Sequence, residues 1–200
     1  MKYSIIFIGF LLAACGGTGS EKNNSESSDI PAGAIEEPFD DGSGLATQTL
    51  YNTDGSILEQ GIYLNGVRVG SYTVYHTNGF VKSITSYVNG KKEGQAMEFS
   101  DQGYVEIRSM YHNNELNGPY ILYNRTRIKE TRNYVGGSLE GFVEKFYSNG
   151  KIQERSNYVA GKRDGIARWY DQEGNMTIEY MYKDGEWLQD YHPDSTTVSK

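Results

Sequence analysis

A chain of 200 residues with a formal net charge of −7 lacks the basic footprint that nucleic acid demands, and its single cysteine excludes an internal disulfide. Its length allows one domain plus a tail, with a core large enough to fold unaided. The histidines, His76, His112 and His192, lie far apart with no cysteine beside them, so no metal site is expected.

At the amino end, Lys2 precedes an apolar run from Ile5 to Leu12, followed by Ala13-Ala14-Cys15. Such a run is too short to cross a bilayer, which takes roughly 20 residues, and small residues before a cut site mark a secretory signal. Residues 1–14 therefore read as a signal peptide. The step Leu12-Ala13-Ala14-Cys15 resembles the lipobox of bacterial lipoproteins, and the resemblance implies that Cys15 is acylated and becomes the first mature residue. If the cell is Gram-negative, the resemblance with Gly16 rather than Asp after the cysteine implies the outer membrane. Removing residues 1–14 takes away Lys2 and moves the formal charge from −7 to −8, so membrane contact is expected through the lipid alone.

Residues 15–44 are rich in Gly, Ser, Asn and acid, including Glu21, Glu26, Asp29, Glu36, Glu37, Asp40 and Asp41. Low hydrophobicity with net negative charge predicts a disordered tether, with a reach of about 30 Å. Beyond it, aromatic residues recur on a beat of twelve: Tyr51, Tyr63, Tyr75, Tyr87, Phe99, Tyr111, Tyr123, Tyr134, Phe146, Tyr158, Tyr170 and Tyr182. Read in pairs, the beat is a tandem repeat of 24 residues, the mark of a repeat architecture.

Each repeat reads as a β-hairpin. Asn-Gly steps supply the positive φ that tight hairpin turns need, and glycines recur as Gly66 with Gly70, Gly90 with Gly94, Gly137 with Gly141 and Gly161 with Gly165, with Asn114 beside Gly118 in the third repeat. Strand alternation is expected to put Ile57 with Tyr63, Val81 with Tyr87, Val105 with Tyr111, Ile128 with Tyr134, Ile152 with Tyr158 and Met176 with Tyr182 on one face, with a mostly polar opposite face. The fourth repeat is one residue short. Its Ile-to-Tyr spacing is unchanged, so the deletion belongs in the turn Asn124-Arg125-Thr126-Arg127. The predicted fold is all-β: an elongated antiparallel meander over residues 45–191, twelve or thirteen short strands in one twisted sheet, with residues 192–200 a disordered tail. No stretch carries apolar residues at helical spacing.

The pattern Tyr-x-x-Asn-Gly-x-Ile, then Tyr-x-Asn-Gly-Lys-x-x-Gly, then x-x-x-x-Tyr resembles the MORN repeat in its bacterial variant form, the type found in the YwqK-like antitoxin family. The resemblance covers about 140 residues in six copies. It implies a scaffold or binding surface. The lipobox and the shortened turn depart from the family pattern, the first because it does not suit a cytoplasmic antitoxin.

The aromatic ladder, with Tyr63, Tyr87, Tyr111, Tyr134, Tyr158 and Tyr182 at one repeat position, is read as structural, because a one-layer sheet needs large residues to cover each other. The less regular aromatics Tyr72, Tyr120, Tyr147, Trp169, Tyr180 and Trp187 are the candidate binding surface. Glu59, Glu130 and Glu154 share one repeat position, and identical environments do not make an acid and a base, with Arg132 near enough to neutralise a neighbour. Lys91-Lys92 and Lys162-Arg163 read as solvated hairpin tips. No phosphate loop, dinucleotide motif or Ser-His-Asp pattern is present, so neither catalysis nor a cofactor is expected. The first functional reading is a non-enzymatic, lipid-anchored envelope protein that binds another protein. An antitoxin or immunity protein of the YwqK-like type and a module gripping cell-wall carbohydrate are the alternatives. Replacing Cys15 with Ala is expected to release the protein from membranes; continued partition into detergent would overturn the lipoprotein reading.

Overall fold

The computed structural model describes residues 29–188. The signal peptide, Cys15 and residues 192–200 lie outside the described residues. The strands are β1 (Ile35–Pro38), β2 (Leu45–Tyr51), β3 (Ile57–Leu64), β4 (Val67–Tyr75), β5 (Val81–Val88), β6 (Lys91–Phe99), β7 (Val105–His112) and β8 (Glu115–Leu116). They continue as β9 (Gly118–Asn124), β10 (Arg127–Val135), β11 (Ser138–Leu139), β12 (Gly141–Phe146), β13 (Ile152–Val159), β14 (Lys162–Tyr170), β15 (Met176–Lys183) and β16 (Glu186–Trp187). They form one antiparallel sheet in chain order, with the two-residue pieces β8 and β11 paired to β7 and β10. The sheet does not close. At about 4.8 Å between neighbours it extends roughly 60 Å.

The sequence reading of residues 15–44 as tether needs correction at its end. Ile35–Pro38 is a strand, paired with β2 in the register Ile35↔Thr49 to Pro38↔Ala46. Its alternation is weak, but the open edge of β2 offers unpaired backbone groups that any extended segment can satisfy.

One set of hairpins turns on a left-handed pair of residues. Asn65-Gly66, Asn89-Gly90, Asn113-Asn114, Gly136-Gly137, Ala160-Gly161 and Asp184-Gly185 all have positive φ at both positions, the mark of a type I′ turn. Five of these six tips also reach back one hairpin: the N–H groups of Gly90, Asn114, Gly137, Gly161 and Gly185 donate to the carbonyls of Arg68, Lys92, Leu116, Leu139 and Arg163 at 2.8–3.1 Å. A second left-handed glycine follows in the strand, and Gly70, Gly94, Gly118, Gly141 and Gly165 pair with Tyr87, Tyr111, Tyr134, Tyr158 and Tyr182.

At the opposite edge the loops are longer, and each is followed by a bulge. Tyr75 pairs with Val81 but Val74 pairs with Ser83, which leaves Lys82 as an extra residue, and the same step leaves Leu58, Glu106, Lys129, Gln153 and Thr177 unpaired. An extra residue reverses the alternation. Val81, Val105 and their equivalents therefore stand on the face opposite the tyrosine ladder, not beside it as period-two counting expects. Val105 and Tyr123 accordingly line one hollow with Met97 and Arg108, while Val74 packs with Tyr63, Tyr72 and Tyr87 on the other face. The beat of twelve thus splits, with one aromatic of each pair on each face.

On the second face one cross-strand row is polar toward both ends, with Thr49, Gln60 and Thr73 early and Glu144, Arg155, Arg168 and Glu179 late. Between them the same row carries Ile84, Met97, Arg108 and Ile121. The deletion in the fourth repeat falls where the sequence puts it. Asn124 pairs with Arg127 across Arg125-Thr126, and Arg125 takes φ 55° without being glycine. The shortened turn borders a hollow of about 420 Å³ lined in part by Met97, Tyr104, Val105, Arg108, Tyr123 and Arg125.

Gly141 has φ 79° and no atom near the place of its missing Cβ, so a side chain there would meet backbone strain rather than a clash. Gly141→Val is expected to cost about 1–3 kcal/mol and lower the melting temperature by several degrees; an unchanged thermal transition would remove the left-handed assignment.

Candidate protein-binding surface on the tyrosine face

The tyrosine face carries a line of cations seated on rings. The guanidinium of Arg68 lies over Tyr72 at 4.1 Å, Tyr87 at 4.9 Å and Tyr63 at 5.7 Å. Lys92 stands over Tyr111 at 5.0 Å, Arg132 over Tyr120 at 5.5 Å, and Arg163 within 5.4–5.9 Å of Tyr158, Trp169 and Tyr182. Register explains the recurrence: Arg68, Lys92 and Arg163 each sit opposite a ladder tyrosine, Tyr63, Tyr87 and Tyr158, with the next ladder tyrosine alongside. A ring face attracts a cation, more strongly where water is partly excluded.

Three of the six candidate contact aromatics come together at the carboxyl-terminal end. Trp169 and Tyr180 meet edge to face at 5.7 Å, and Tyr180 and Trp187 at 5.2 Å. Tyr180 and Trp187 are exposed, as is neighbouring Ile178. Tyr120 lies further up the same face, edge to face with Tyr134. The other two are placed differently. Tyr72 is buried at 7 % exposure and belongs to the core cluster with Tyr63 and Tyr87, because Gly61 opposite it leaves its ring room to lie flat on the sheet. A Cβ on Gly61 would come within 2.4 Å of that ring. Tyr147 is a strut, its hydroxyl donating to the Tyr170 carbonyl at 2.7 Å, as His76 bonds the Phe99 carbonyl at 2.9 Å in an earlier loop.

The three repeat-position carboxylates are each held differently. Arg132 Nε donates to Glu130 at 2.6 Å. Glu154 accepts from Lys145 at 2.8 Å, from Ser156 at 3.1 Å and from Arg163 Nη2. Burial works to raise the Glu154 pKa, but Lys145, Arg163 and Ser156 outweigh it and hold the carboxyl below its ordinary value. Burial drives the Tyr72 phenol well above its ordinary range, helped by the Glu59 carboxylate. Glu130 and Glu154 are thus counter-ions to Arg132, Lys145 and Arg163 in an aromatic surface, and Glu59 faces the Tyr72 phenol.

Residues 139–160 and 163–184 match the MORN repeat variant. No curated protein matches the chain. The same turn, bulge and left-handed glycine recur upstream of the two matched copies, so the described body is an array of hairpins of one geometry, and the matched repeats suggest a repeat-built binding or scaffold surface.

Because the Glu154 pKa is depressed on folding, its contribution to stability is present above the ordinary glutamate value of about 4.5 and is lost as the pH falls through the lower folded value. Acid titration of the folded chain is expected to loosen the last repeats over that range. Glu154→Gln is expected to remove this share of the pH dependence, and a variant profile parallel to the parent's would refute the linkage.

Proposed function

We propose that this protein is a non-enzymatic, lipid-anchored MORN-repeat scaffold of the bacterial envelope that binds another protein on its tyrosine face. The observation that carries the reading is the aromatic group of half-buried Trp169 with exposed Tyr180 and Trp187 beside Arg163, at the end of a sheet over which no second layer lies among the described residues. Aromatics and arginine are the residues that dominate protein–protein contacts. The rings meet edge to face at 61–66°, which favours a partner's side chains over the flat platform that suits a sugar. The lipobox supplies the address, and the acidic body leaves attachment to the acyl chains.

Crosslinking intact cells that carry the tagged, lipidated protein tests this. One dominant captured protein, absent when residues 45–191 are deleted with the anchor kept, is the expected result. A captured toxin would make the scaffold an antitoxin. Absence of any captured protein, with retention on purified cell wall that depends on Trp169 and Trp187, would replace this reading with carbohydrate binding.

A further inference from the structure

On the tyrosine face the chain covers its own first cluster of rings. Arg68 and Tyr63 form a clasp across which Asp29-Ile30 lies, the Asp29 carbonyl accepting from Arg68 Nη2 at 3.1 Å and Ile30 packing on Tyr63, Tyr72 and Tyr87. The opposite face holds another cluster of rings and arginines, the hollow beside the shortened turn, and among the described residues no segment lies across it.

The stacking of the long loops shows how this place differs. Phe80 rests on Gly103 of the next loop, its ring 3.6 Å from the place of the missing Cβ, and Lys151 rests on Gly174 in the same way at 3.7 Å. Asn78 and Asn149 reach the carbonyls of Asp101 and Gln172 in those next loops, at 2.7 and 3.0 Å. Tyr104 is the repeat equivalent of Phe80, and the next turn has Thr126 where that glycine would fall. Among the described residues no side chain of the loop 100–104 bonds the turn Arg125-Thr126, and the Tyr104 ring lines the hollow at 42 % exposure.

Two cations line the hollow, Arg108 and Arg125, and no carboxylate does. Both are exposed, and neither has an ion pair or a side-chain hydrogen bond among the described residues. Arg155 holds the position of Arg108 two repeats on, and there Glu144 stands opposite in an ion pair at 3.3 Å. Arg108 has Met97 and Ile121 as its cross-strand neighbours instead, so the sheet supplies no counter-ion across from it. Two acids, Asp101 and Glu106, line an adjoining hollow of about 280 Å³ that shares Tyr104, Tyr123 and Arg125, and neither pairs with an arginine. They constrain the ligand: a dianion would meet their repulsion, whereas a single carboxylate is matched by the two guanidiniums.

We propose that this hollow binds a small organic acid with one carboxylate on a flat, apolar body, the carboxylate held by Arg108 and Arg125 and the body by Tyr104, Tyr123, Met97 and Val105. A site of about 420 Å³ with apolar and aromatic walls and few converging polar groups has the size and make-up of a small-molecule pocket. Arginine takes a carboxylate through paired N–H donors, and rings and a thioether receive a flat body. The hollow lies on the face opposite Trp169 and Tyr180, so it is independent of the scaffold reading.

The test is fluorine NMR of the full-length chain in detergent micelles, labelled with meta-fluorotyrosine and titrated with cinnamate. The Tyr104 and Tyr123 signals are assigned by replacing each with Phe, and partition of the probe into protein-free micelles is measured separately. A saturable shift of these two signals is expected, with a midpoint of about 1 mM or tighter. Arg108→Glu, at an exposed residue with no partner to lose, is expected to keep the parent's thermal transition and to weaken cinnamate by about tenfold or more. The cation cinnamylamine is expected to change in the opposite sense on that variant. Arg125→Asn removes the other charge with a residue that tolerates φ 55°, and it is expected to weaken cinnamate severalfold. No saturable shift, or unchanged cinnamate affinity in the Arg108→Glu variant, overturns the proposal. Tighter binding of cinnamylamine than of cinnamate by the parent would show that Asp101 and Glu106 govern the hollow, and would overturn it too. Inorganic phosphate moving the same signals at a lower concentration than cinnamate would overturn the choice of a carboxylate. Partner capture in intact cells is expected to be the same for Arg108→Glu as for the parent, so the scaffold reading and this site fail separately.

Discussion

The constraint on which this molecule depends is that a one-layer sheet has only its neighbouring strands to pack against. Five of the six left-handed hairpin tips answer it, each donating one backbone N–H to the hairpin before it, from Gly90 to Arg68 through to Gly185 to Arg163. The donors are backbone groups, so side chains are free to vary while the coupling stays. Asn113-Asn114 and Ala160-Gly161 both hold the turn with less favourable residues than Asn-Gly, which is the expected behaviour when neighbours over-determine a geometry. Stability in such an array is a sum of nearest-neighbour terms, and the atypical pieces, β1 and β16, fall at its two ends.

Much of this was legible in the sequence, because glycine and asparagine at fixed spacing encode positive φ directly. The twelve-residue beat placed the hairpins, and the unchanged Ile128-to-Tyr134 spacing placed the deletion at Arg125-Thr126. Facing was not legible. Lys82 and its equivalents are ordinary strand residues by composition, and nothing in their identity marks them as bulged; only the register of Val74 with Ser83 beside Tyr75 with Val81 exposes the extra residue. One unpaired residue per repeat sent half of the aromatic beat to the other side. Likewise the acidic stretch around Ile35–Pro38 has the composition of a tether, and it is ordered by an edge that lies elsewhere in the chain.

The surface was legible in part. Trp169, Tyr180 and Trp187 stand outside the regular ladder and do converge, because they occupy neighbouring strands of one face. Tyr72 also stands outside it, yet Gly61 across the pair draws it into the core. The signal for that burial was a glycine in mid-strand where no turn is needed. The cations were harder to foresee: Lys162-Arg163 reads as a solvated tip, and only the pairing of Arg163 with Tyr158 turns one of the two inward.

The position of Asp29-Ile30 has a mechanical consequence. These residues precede β1 in the chain but are fastened to β3 and β4, by Tyr63 and Arg68. A pull on the chain from the amino-terminal side therefore meets the Arg68 clasp before it reaches the edge strand. The clasp loads several bonds and a packed ring cluster at once, whereas an edge strand peels one pair at a time, so tension arriving from that side is borne by the body of the sheet and the weak four-residue strand at its margin is shielded from unzipping.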